Sequence, residues 1–174
     1  MRCVFSVAVI AASASTPALA GIVQGPVVAP FDAQAEITFV SRSAGWTGEL
    51  SFLGTSQNAI SAPQYLMSNS ATAGDAASLG LFNSGDELLF QYEIVSGGPN
   101  NTYRMDDPAG ALQFQHEFTS ANVARLYVED IELPGGDRDY NDAVFDVTFT
   151  QVPGPGPLAL AGMGGMLALR RRRR

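Results

Sequence analysis

Six acidic side chains crowd one short run, Glu129-Asp130-Ile131-Glu132-Leu133-Pro134-Gly135-Gly136-Asp137-Arg138-Asp139-Tyr140-Asn141-Asp142. Packing Asp137, Asp139, Asn141 and Asp142 into one turn forces like charges together, and the lone Arg138 cannot offset them. A hard divalent cation, which takes about six to eight oxygen ligands, would. Glu129 and Asp130, on the strand that leads into the turn, can complete the shell. The metal-ligand candidates are therefore Glu129, Asp130, Asp137, Asp139, Asn141 and Asp142, with calcium as the expected cation. The Asp-x-Asp-x-Asn spacing matches the start of an EF-hand loop, but the glycine of the sharp turn is missing, Thr148 stands where the closing Glu belongs, and the flanks are strands. A calcium site here is a loop site on a β scaffold. The competing reading is a solvated Asx-rich turn in which Gly135-Gly136 supplies the positive φ angles.

Other chemistry has less support. His116 is the only histidine, and its alternation partners Leu112, Phe114 and Phe118 put it on a buried face, so a satisfied core histidine is expected in preference to a catalytic base. No G-x-S-x-G or paired-histidine motif accompanies it. The pair Asp106-Asp107 invites a glycosidase reading, but neighbours on a turn do not place two carboxyls across a cleft. No enzyme is expected. Trp46, the sole tryptophan, is read as a core anchor beside a strand; its alternative is a sugar-stacking platform, with Tyr65, Tyr103 or Tyr140 as loop partners.

The elements that must position these residues follow from period-2 alternation. Ala143, Phe145, Val147 and Phe149 alternate with Val144, Asp146, Thr148 and Thr150; Leu88 to Ile94 and Leu112 to Phe118 behave in the same way. Shorter strands are expected at Ile22 to Val28, Glu36 to Val40, Glu49 to Leu53, Tyr65 to Met67, Asn101 to Met105 and Val123 to Ile131. Clusters such as Ser96-Gly97-Gly98-Pro99-Asn100-Asn101 separate them. Only Ala71 to Leu81 carries a weak helical period, broken by Gly74. Many short strands predict an all-β fold, an antiparallel β-sandwich of jelly-roll-like form, followed by a short C-terminal hydrophobic helix.

The two ends differ from the middle. Residues 1–20 have a basic start, an apolar run too short to span a bilayer, and small residues at Ala18 and Ala20, so a signal peptide cleaved after Ala20 is expected. Residues 21–151 form the domain, and residues 152–174 combine a Pro-Gly segment, an uncharged stretch and Arg170 to Arg174. Terminal arginines keep such a tail's end cytoplasmic and leave the domain outside. All 17 acids lie in residues 21–151 against only Arg42, Arg104, Arg125 and Arg138, a balance of −13 that makes nucleic acid and anionic membrane surfaces poor partners for the domain. The single cysteine, Cys3, belongs to the signal, so the domain has no disulfide and no thiolate chemistry.

Val152-Pro153-Gly154-Pro155, the short hydrophobic segment and the final arginine cluster resemble the PEP-CTERM sorting tail of Gram-negative bacteria, with Gly154 where Glu normally stands. That resemblance implies transient anchoring in the inner membrane and an exosortase-type processing enzyme as partner. Glu129-Asp130, then Gly135-Gly136-Asp137-Arg138-Asp139-Tyr140-Asn141-Asp142 and an apolar strand, resemble the signature of a domain of unknown function in bacterial secreted, adhesin-like and PEP-CTERM proteins; a weaker similarity reaches back through Ser84 to Phe90. The resemblance implies an extracellular β domain. The expectation is an exported envelope or extracellular-matrix protein with a calcium-stabilised acidic β domain, meeting extracellular polysaccharide or other surface proteins. A lectin-like carbohydrate-binding module is the alternative.

Overall fold

Alternating apolar residues can bury one edge of an extended chain, and most of this chain does so. The computed structural model describes residues 21–153 and forms there the strands β1 (Val23–Gln24), β2 (Val27–Val28), β3 (Ala33–Ser41), β4 (Thr47–Thr55), β5 (Ala59–Ser68), β6 (Ala76–Phe82), β7 (Glu87–Ser96), β8 (Thr102–Arg104), β9 (Phe114–Ser120), β10 (Val123–Val128) and β11 (Ala143–Gln151), with one 3-10 turn at Gly110–Gln113. The fold is all-β, in two antiparallel sheets. One is ordered β1-β9-β10-β11-β3-β6; the other is β2-β7-β4-β5, with β8 beside β7. Their inner faces share one apolar core, and Phe52 of β4 meets Phe82 of β6 across it with ring centroids 5.9 Å apart. Each such buried aromatic or aliphatic side chain stabilises the fold by about 1.5–3 kcal/mol.

Four sequence expectations are corrected. The run Ile22 to Val28 divides at Gly25 (φ 110°) and Pro26, so that β1 pairs with β9 in one sheet and β2 with β7 in the other. Leu112 is outside any strand and 43% exposed, because the chain makes a tight turn at Gly110, where a Cβ would lie 2.4 Å from the Arg104 nitrogen; the strand begins only at Phe114. The weak helical period over Ala71 to Leu81 gives way to β6, whose pairing with β3 overrides the alanine content. β10 stops at Val128, and Glu129 to Ile131 leave the ladder. Among the described residues no helix is long and apolar enough to cross a membrane. The expected signal peptide, and the C-terminal helix with its arginines, lie outside the described residues.

Candidate metal centre

The β10–β11 ladder ends at the pair Val128↔Ala143, so Glu129 and Asp142 emerge side by side at the mouth of a loop. Asp142 Oδ2 accepts a hydrogen bond from the Asp130 amide at 2.8 Å, closing that mouth. Gln113, buried beneath it, fixes the other side: its carbonyl accepts from the Glu129 amide (2.9 Å), its side-chain Nε2 donates to the carbonyls of Glu129 (3.1 Å) and Ile131 (2.7 Å), and its Oε1 accepts from the Leu133 amide (3.1 Å). Further along, the Asp139 amide donates to Asp137 Oδ1 (3.4 Å), the Asn141 amide donates to Asp139 Oδ1 (3.2 Å), and the Asn141 side-chain amide donates to Asp139 Oδ2. These are the self-bonded turns that Asp and Asn favour.

The expected role of Gly135-Gly136 is different in the structure. Positive φ angles fall on Arg138 (62°) and Tyr140 (51°). Left-handed backbone at non-glycine residues costs about 1 kcal/mol or more each, and the buried Tyr140 is held by its hydroxyl, which donates to the Leu112 carbonyl at 2.9 Å. Gly136 serves a close approach: a Cβ there would lie 2.6 Å from Glu129 Oε1.

The carboxylates gather in two sets. Glu129, Asp130 and Asp142 each offer an oxygen within 4.8 Å of the others, and so do Glu129, Asp137 and Asp139. Glu129 is completely buried and Asp130 nearly so, yet both Glu129 oxygens and Asp130 Oδ2 accept no hydrogen bond of normal geometry. Burial, then the charges of Asp142 and Asp137, raise the Glu129 pKa, while the nearby amides of Ile131 and Tyr140 only partly counter them. Burial and Asp142 push Asp130 up to about 7, and Asp142 is raised chiefly by its own burial. From the opposite sheet, Tyr92 on β7 places its hydroxyl behind the acids, buried and without a well-formed hydrogen bond; Gly48 leaves it the room, since a Cβ there would lie 2.3 Å from that oxygen. Burial, then Asp130 and Asp142, raise its pKa.

Four of the other five predicted ligands thus converge on Glu129, and Asn141 braces Asp139. An ionised carboxylate buried without a partner is costly, whereas an all-oxygen shell of carboxylates suits a hard divalent cation. Sequence reasoning missed Gln113, Gly136 and Tyr92. The Gly-Gly pair was the one local signal for a close approach.

The other candidates are accounted for structurally. His116 is buried, with Nδ1 3.2 Å from the Gly25 carbonyl, and burial lowers its pKa. Asp106 forms a two-point pair with Arg104 (2.8 and 2.7 Å), and Asp107 accepts from the Gly110 amide. Trp46 packs against the core under the Gly97-Gly98 turn, whose second glycine would place a Cβ 2.3 Å from the indole. Tyr103 and Tyr140, the loop partners of the alternative sugar-stacking reading, are both buried; Tyr103 donates to the Asp130 carbonyl at 3.0 Å, and Tyr65 alone of these tyrosines is exposed. No protein-family model matches the chain, and no curated protein matches it.

Proposed function

We propose that the chain is an exported, non-enzymatic envelope or extracellular-matrix protein whose acidic loop binds calcium and thereby locks β10 to β11 at one end of a jelly-roll-like sandwich. The observation that carries this reading is the pair of buried carboxylates, Glu129 and Asp130, with three oxygens left without well-formed hydrogen bonds, Glu129 lying within reach of Asp137, Asp139 and Asp142 and Asp130 within reach of Asp142. A cation supplies the missing partner for all of them, and a ligand that binds only the folded state adds RT ln(1 + [L]/Kd) to its stability. Extracellular calcium modules work at about 10⁻⁴ to 10⁻³ M, which millimolar calcium outside the cell satisfies. Export by the N-terminal signal, sorting through the tail by an exosortase-type enzyme, and contact with extracellular polysaccharide or surface proteins belong to the same reading. The acidity of residues 21–151 and their lack of cysteine support it.

The test is a thermal melt of the purified protein in chelator, calcium and magnesium. At about a hundred times Kd, calcium adds about 2.7 kcal/mol, on the order of 10 °C in Tm for a domain of this size, and magnesium adds less because its small octahedral shell fits many carboxylates poorly. Equal melting in chelator and in calcium, with no heat of binding, overturns the proposal.

A further inference from the structure

We infer that the loop takes two divalent cations bridged by the Glu129 carboxylate. This rests on the calcium reading above and deepens it. The oxygens around one calcium ion lie about 2.3–2.6 Å from it, so they lie within about 5 Å of one another. Each carboxylate set meets that limit by itself, and the two share only Glu129. Glu129 also has the right valence for the task, because both of its oxygens are buried and neither is committed to a hydrogen bond. Oε1 lies against Gly136, the residue before Asp137, where a Cβ would come within 2.6 Å of it; in the bridged pair each Glu129 oxygen serves one of the two ions.

Charge leads to the same count. One divalent cation among Glu129, Asp130, Asp137, Asp139 and Asp142 leaves three negative charges around the buried Glu129, and two leave one. The two positions differ in kind. The inner one, with Asp130 and Asp142, is walled by buried residues and has the unpartnered Asp130 Oδ2. The outer one, with Asp137 and Asp139, is open to solvent and can complete its shell with water. Occupation is therefore ordered, inner before outer.

The experiment is calcium stoichiometry on the full chain, by calorimetry and by metal analysis after gel filtration in calcium. Two equivalents per chain are expected for the wild type. Asp139→Asn, at an exposed position where the amide keeps the side chain's size, should bind one equivalent and still melt higher in calcium than in chelator. Glu129→Gln should bind none. One equivalent in the wild type overturns the bridged pair while the calcium reading stands; no binding at all overturns both. Two equivalents retained by Asp139→Asn would place the second ion elsewhere and overturn the bridge.

Discussion

Arg125 and Asp146 face each other across β10 and β11 and form a two-point ion pair at 2.8 and 2.9 Å. Just past the last rung of the same ladder, Glu129 and Asp130 meet Asp142, with no ion pair among the described residues there. Register alone brings both groups together. In the first it delivers a cation to the carboxylate, and Arg125 is held above its ordinary pKa by that hydrogen bond. In the second it delivers carboxylate to carboxylate, and burial first, then the charges of the surrounding acids, hold the pKa of each above its ordinary value. The body of the two sheets thus carries its own counter-charge, whereas under the proposed calcium reading the loop end takes it from solution. Stability at the first place should be intrinsic and modest, and at the second it should depend on calcium.

The sharpest way to break that contrast is Glu129→Gln. The whole calcium increment of about 2.7 kcal/mol should vanish, while melting in chelator stays level or rises because a buried charge repelled by Asp142 and Asp137 is gone. A variant that melts much lower in chelator yet still responds to calcium would mark Glu129 as a packing residue. Gly136→Ala comes next. The new methyl group must displace the Glu129 carboxylate, so calcium Kd should rise about tenfold, in the range found for changes that misplace a ligand; calorimetry reads it, and an unchanged Kd would mean the carboxylate has room to move.

A smaller effect concerns pH. The folded-state pKa values of Asp130, Asp142 and Glu129 are raised, so their contribution in chelator is present below their unfolded values near 4 and is lost as pH rises toward 7. Melting in chelator should therefore fall by a few degrees from about pH 4.5 to 7.5, and calcium should reverse the slope by holding the carboxylates ionised. A melting temperature in chelator that climbs steadily over that range would contradict the assigned burial. The smallest effect belongs to the self-balanced pair: both side chains are partly exposed, so Arg125→Ala should cost about 0.2–1 kcal/mol, equally with and without calcium. A calcium-dependent cost would show that the two regions are coupled.

Much of this protein is local and therefore legible in the sequence. Alternation marked β7, β11 and most of the shorter strands, because a strand's burial pattern repeats every two residues within its own few positions. Asp137, Asp139 and Asn141 were likewise readable, since an Asx turn needs only its immediate neighbours. Which acids would be buried was not readable. Glu129 looks like any strand-end glutamate until Gln113, on a distant turn, takes its backbone and Gly136 closes over its carboxylate. Leu112 was misjudged for the same reason, its alternation being cut short by the turn at Gly110. Local pattern determined the strands, the acidic turn and the charge; tertiary structure decided burial, because removing a carboxylate from water takes contacts from several elements that come together only when both sheets have closed.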